Sequence, residues 1–157
     1  MLLVKKKKQN MKTRIKNKIL IFLMICFASC SSGSQIENDE ALIDKLFNAV
    51  KSHQMKEIAF KDLINFEWEK VCIFSPYTPS DTINVALSFN WKLSAETNIQ
   101  HDDVCCLIVF TKGKEVVKYL LHPRNKGDFS ALKEHCYSKD KAIFKVEERD
   151  NNGGIWY

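Results

Sequence analysis

The side chains with the widest chemical reach in this chain are its six cysteines and four histidines. Cys105 and Cys106 are neighbours within the apolar run VCCLIVF, so they point to opposite faces of one strand and cannot share a partner. Cys136 follows His135, and Cys72 lies in KVCIF. Four cysteines, Cys72, Cys105, Cys106 and Cys136, allow three complete pairings. A bond from Cys105 or Cys106 to Cys136 is one candidate; buried, inert thiols are the other outcome.

For a metal the pattern is poor. There is no C-x-x-C, and His53, His101, His122 and His135 are scattered without an H-x-x-x-H pair, so neither a metal nor a cofactor is expected. A thiol nucleophile needs a histidine within hydrogen-bond reach and an exposed, electropositive setting. Cys136 beside His135 supplies the residue types in no recognised order. No G-x-S-x-G, phosphate loop or dinucleotide fingerprint occurs, and Asp102-Asp103, Glu147-Glu148 and Glu67/Glu69 read as solvated turn, strand-end and edge residues. The chain therefore reads as non-enzymatic, with a thiol enzyme built on Cys136 or Cys72 as the enzymatic alternative.

Recognition chemistry is better represented. Tyr77 stands between Pro76 and Pro79, and the loop Arg124 to Asp128 adds a guanidinium and a carboxylate, so Tyr77, Arg124 and Asp128 form the candidate binding set. The plainer alternative is that Tyr77 packs over a sheet end and Arg124 pairs locally with Asp128.

The strongest signal concerns location. Ile19 to Ala28 is a run of ten apolar residues, about half the ~20 needed to span a bilayer as a helix. Eight basic residues and no acidic ones precede it, which is the flank of an export signal. The run ends in Phe27-Ala28-Ser29-Cys30, which resembles the bacterial lipobox, with Phe27 where that pattern usually has Leu. The resemblance implies cleavage before Cys30 and lipidation of its thiol; stable attachment takes more than one acyl chain. Plain secretion and a retained N-terminal anchor are the alternatives. Ser31 is not the Asp of an inner-membrane retention signal, so in a two-membraned cell the outer membrane facing the periplasm is expected. Met11 is an alternative start to Met1 and changes nothing after cleavage.

Loss of residues 1–29 inverts the charge. The chain carries 24 Lys+Arg and 19 Asp+Glu; the leader holds eight of the former, leaving sixteen against nineteen and a net charge of −3. The basic balance thus belongs to the leader, and nucleic-acid binding loses its electrostatic basis. The remaining 128 residues suit one domain.

The segment F-x-W-E-x-V-x-I-F-x-P-Y-T-P from Phe66, followed by Asp81-Thr82-Ile83, resembles a signature of small bacterial proteins, many of them lipoproteins, for which no activity is established. The similarity extends to Pro123 through Phe129. It departs at Cys72, where a tyrosine is expected, and it implies location and fold without supplying catalytic residues.

The elements that must position these groups follow from periodicity. Leu42, Ile43, Leu46, Phe47 and Val50 recur at spacings of three and four, predicting an amphipathic helix from Glu40 to about Ser52, capped by Asn38 or Asp39. Lys56 to Ile64 is a short helical or irregular piece, and Phe66 to Phe74 a strand broken by Pro76. A short helix covers Asp81 to Leu87. Phe89, Trp91 and Leu93 mark a weak strand or a loop with its aromatics tucked inward. VCCLIVF has no polar position, as in a strand covered on both sides, and EVVKYLL beyond Gly113 completes a hairpin with it. Phe129 to His135 reads as one or two helical turns with Phe129 and Leu132 inward, and Ala142 to Glu147 as a last strand.

These elements predict an α+β fold: an N-terminal amphipathic helix packed on a mainly antiparallel sheet of about four strands, in two layers. The expected organisation is a signal peptide over 1–29, a flexible tether over 30–39, one domain over 40–149 and a loose tail over 150–157. The expected role is a lipoprotein of the cell envelope, held to the membrane through Cys30 and binding an envelope protein or cell-wall component. An inhibitor or immunity lipoprotein against a toxin or lysozyme is the alternative among interaction proteins.

Overall fold

The computed structural model describes residues 38–53, 56–148 and 155–156, all within one unit spanning Ile36–Tyr157. The expected leader, Cys30 and most of the tether lie outside the described residues.

Helix α1 (Glu40–His53) forms where the three-and-four spacing places it, and buries Leu42, Ile43 and Leu46. Its N-terminal cap is Asp39, whose Oδ1 accepts from the Leu42 amide at 2.9 Å, satisfying one of the amides a helix start leaves free. Strand β1 (Glu57–Ala59) and the single turn α2 (Phe60–Leu63) follow. Strand β2 (Lys70–Phe74) is shorter than the apolar run suggests, because residues 66 to 69 approach it irregularly; even so, the Glu69 amide donates to Thr111 O at 2.8 Å and extends the ladder by a rung.

Helix α3 (Ser80–Leu87) starts after Pro79 and ends at Ser88, which takes the left-handed conformation. Thr78 does not cap it; its hydroxyl donates to Ser75 O at 2.7 Å and closes the turn before the helix. Trp91 is buried ahead of a 3-10 turn (Lys92–Ser94), so the aromatics of this stretch tuck inward and form no strand. After a second 3-10 turn (Ile99–His101) come β3 (Cys105–Lys112) and β4 (Glu115–Pro123). They form the predicted hairpin, with Gly113 at φ +58 in the turn, where a β-carbon would be strained.

The strands β5 (Cys136–Ser138), β6 (Ile143–Lys145), β7 (Glu147–Glu148) and β8 (Ile155–Trp156) complete the chain. The main sheet has the order β4-β3-β2-β5 and is antiparallel throughout. Strand β1 pairs with β6 in a separate two-stranded ribbon, and β7 pairs with β8, which brings part of the expected loose tail back against Glu147–Glu148. Phe129 to His135 forms turns instead of a helix, although Phe129 is buried and Leu132 packs on the core as expected.

The fold is therefore α+β, and the sheet has apolar cover on both faces where the helix pattern alone suggested two layers. Alternation along the strands divides the core. Val71, Ile73, Cys106, Ile108, Phe110 and Leu120 meet α1, Phe60, Trp68, Phe129 and Phe144 on one face. Cys72, Phe74, Leu107, Val109 and Val116 meet Ile83 and Leu87 of α3, with Trp91 and Ile99, on the other. Within VCCLIVF, Cys106 to Phe110 are buried from both sides, in line with the lack of polar positions, while Val104 lies ahead of the strand and is exposed.

Strand β4 carries an irregularity at the Phe110/Thr111 step of β3 that shifts the register by one residue. Counted straight from the turn, Cys106 would face Leu121; the shift sets it opposite His122 instead. A one-residue slip exchanges the two faces of a strand, so this bulge is what sets His122 on the same face as Cys106.

Candidate binding surface and the cluster beneath it

The two segments singled out for recognition converge on one end of the main sheet. Beyond Phe74 opposite Leu107, β2 runs on towards Tyr77 as β3 begins near Val104, and the Arg124 amide donates to Val104 O at 2.9 Å. Tyr77 is 61% exposed and Val104 60% exposed, so this end presents two large apolar side chains to solvent. Tyr77 does not pack over the sheet. Its backbone adopts φ +64, an uncommon conformation for a bulky residue, and its amide is held by Ile99 O at 3.0 Å.

Arg124 and Asp128 do pair. The Arg124 Nε and Nη2 donate to the same carboxylate oxygen, Asp128 Oδ2, at 2.8 and 2.7 Å, and Nη1 reaches Asp103 O at 3.1 Å. Asp128 Oδ1 accepts from the Ser130 amide at 2.8 Å and from the Cys106 thiol at 3.8 Å. Burial pushes the Asp128 carboxyl up, but the bonds from Arg124 and Ser130 outweigh it and hold the group below the usual carboxylate range. Asp128 is buried and Arg124 half-buried, so Asp128 acts as an internal clamp on the loop while Arg124 keeps one side towards water.

Beneath this loop lies a polar cluster that sequence spacing does not reveal. His122 is fully buried between Cys106, directly across the hairpin, and Phe129, whose ring stands edge-on at 5.3 Å. Neither ring nitrogen has a hydrogen-bond partner. Burial is the main influence and lowers its pKa to about 4; the carbonyls of Lys126 and Gly127 pull the other way without reaching hydrogen-bond geometry. A buried polar group without a partner costs about 1–3 kcal/mol, a cost His122 shares with the buried indole N–H groups of Trp68 and Trp91. The Cys106 thiol is pushed by burial up to about 12, so it stays protonated and is no nucleophile.

The candidate bond from Cys105 or Cys106 to Cys136 does not form, and these two thiols stay free as the alternative had it. Cys136 is joined to Cys72, and Cys105 and Cys106 are free. The reason is register: β5 lies on the free edge of β2 with Cys136 directly opposite Cys72, Cα to Cα 4.0 Å, whereas β3 lies on the other side of β2. Both sulfurs on which a thiol enzyme would rest are in this bond. His135, next to Cys136, is exposed and stacks on Phe74 at 5.5 Å. His101 is exposed in a separate turn.

Among the described residues no group of three or more His, Cys, Asp or Glu is arranged to hold a metal, and no helix is long and apolar enough to cross a membrane. No family model, curated protein or solved structure matches the chain. By fold it is an α+β domain with a disulfide-fastened edge strand.

Proposed function

We propose that this chain is a lipid-anchored lipoprotein of the bacterial envelope whose domain binds another envelope component through the end of the sheet bearing Tyr77, Val104 and Arg124. The observation that carries it is the apolar run Ile19 to Ala28, behind eight basic residues, ending at Ser29-Cys30. Two acyl chains on Cys30 would hold the protein at the membrane surface, and the polar residues from Ser31 to Glu37 would give the domain room to move, since Asn38 is bound to the Leu121 amide and Asp39 to Lys118.

Two features of the domain support this reading. Disulfides persist in oxidising compartments, so the Cys72–Cys136 bond is in keeping with export. Exposed aromatic and guanidinium groups on loops fixed by a rigid sheet are the usual equipment of a binding surface. Nothing in the cluster under Arg124 supplies a poised nucleophile.

Labelled palmitate should enter the wild-type protein in growing cells and be absent from Cys30→Ala, which should keep its leader. In the same cells, a photoreactive side chain at position 77 should yield a discrete crosslinked product, while one at the exposed Lys141 should not. Cleaved, soluble, unlabelled Cys30→Ala alongside an unlabelled wild type would make the protein a plain secreted one. Equal crosslinking from both positions would remove the proposed surface.

A further inference from the structure

The end of the sheet that bears Tyr77 combines exposed apolar side chains with an excess of carboxylates. Continuing the register from Phe74 opposite Leu107 brings Tyr77 level with Val104, and the two are 61% and 60% exposed. Around them stand Asp102 and Asp103, between the second 3-10 turn and β3, and Asp81 in the first turn of α3. The approach to β5 reaches the same end through Lys133 and Glu134, whose charges offset each other. Tyr77 is held at φ +64, where a glycine would sit without strain. A bulky ring is thus kept at a conformational cost in a place where it buries little of itself.

Arg124, the cation nearest Val104, is already matched. It spends Nε and Nη2 on Asp128 and Nη1 on the Asp103 carbonyl, so its charge is balanced by a buried carboxylate. Lys126, further along the loop, is bound to Asp44 of α1. The carboxylates are not matched in the same way. Asp102 turns Oδ1 to the amides of Val104 and Cys105, at 2.6 and 3.1 Å, which fixes the backbone under Val104 and keeps a negative charge beside it. Asp81 and Asp103 are exposed.

Taking the binding surface proposed above as given, we propose that its partner is a cationic polypeptide segment: a lysine or arginine laid on the Tyr77 ring with its charge towards Asp102 and Asp103, and a neighbouring apolar side chain against Val104. An aromatic face attracts a cation through its quadrupole, and carboxylates beside it add charge-assisted hydrogen bonds. An acidic partner would meet carboxylates with its own, and like charges set against each other exclude a partner more firmly than a missing contact does.

In the full-length, isotope-labelled protein in nonionic detergent, NMR titration with an acetylated, amidated pentapeptide of alternating lysine and valine should shift the amides of Tyr77, Thr78 and residues 101–104 saturably. The counterpart with glutamate for lysine should leave them in place. Tyr77→Gly removes the ring and relieves the backbone, so it should weaken binding about tenfold without lowering the urea midpoint. Asp103→Asn should weaken it about threefold, as for one exposed charge. Should Tyr77→Gly not fold, Val104→Ser, at an exposed position ahead of β3, should show a loss of binding in its place. Equal response to the two peptides, shifts centred elsewhere, undiminished binding by the folded variants, or no response up to about 10 mM overturns the cationic partner. If the crosslink from position 77 in cells survives such a failure, only the cationic occupant is removed; if it is lost as well, so is the surface.

Discussion

Phe110→Ala should destabilise the domain by about 4 kcal/mol, the range for an aromatic truncated in a packed core. Phe110 is fully buried on the central strand β3, and three rings converge on it: Phe66 at 5.3 Å, Trp68 at 5.4 Å and Phe60 at 6.0 Å. The Phe66 and Trp68 contacts are edge-on, an arrangement in which aromatic pairs contribute about 0.5–1.5 kcal/mol beyond the area they bury. Its neighbours are themselves committed: Phe60 packs on Phe144 at 4.8 Å and on Phe129 at 6.1 Å, so they cannot collapse into the space. Urea unfolding followed by tryptophan fluorescence measures the loss, since Trp68 lies against the site. A cost below about 1 kcal/mol would mean that the ring cluster is not packed as described.

Breaking the Cys72–Cys136 bond should have an effect of similar size. It closes a loop between residues 64 apart, for which chain-entropy reasoning gives about 4 kcal/mol. Strand β5 is only three residues long and joins the sheet solely along β2, so the bond also holds an edge that few hydrogen bonds retain. Reductant should therefore lower the urea midpoint of the wild type substantially and leave the Cys72→Ala/Cys136→Ala protein unmoved, at a midpoint near that of the reduced wild type. No change in the wild type on reduction would contradict the assigned pairing.

What could be read from sequence was what local pattern dictates. Leu42, Ile43 and Leu46 specify α1 by spacing, VCCLIVF specifies a two-sided strand by the lack of any polar position, and Gly113 closes the hairpin by its backbone freedom. Arg124 and Asp128 are four residues apart, so their pairing was also within reach. The elements that escaped are defined by distant partners. Strand β5 has one cysteine, one tyrosine and one serine, no alternation, and becomes a strand only because β2 offers it an edge; without it Cys136 had no visible counterpart. Strands β1 and β6 are three residues each and pair across more than eighty residues, a contact no local window contains. The second cover of the sheet depends on α3 and Trp91 folding back over Cys72 and Val109, again a matter of tertiary packing.

The recognition surface divides the same way. A proline-flanked tyrosine signals a turn, but the exposure of Tyr77 follows from its left-handed backbone and the Ile99 carbonyl that fixes it. His122 was hidden because the apolar run EVVKYLL stops at Leu121, whereas β4 continues to Pro123 and its bulge sets His122 opposite Cys106.

Everything said of location rests on the sulfur of Cys30, and the mature terminus of the protein isolated from its own cells tests it most directly. Intact-mass and peptide mass spectrometry should find a chain beginning at Cys30 and heavier by its acyl groups. A chain that retains residues 1–29, or one that starts at an unmodified Cys30, would contradict the account.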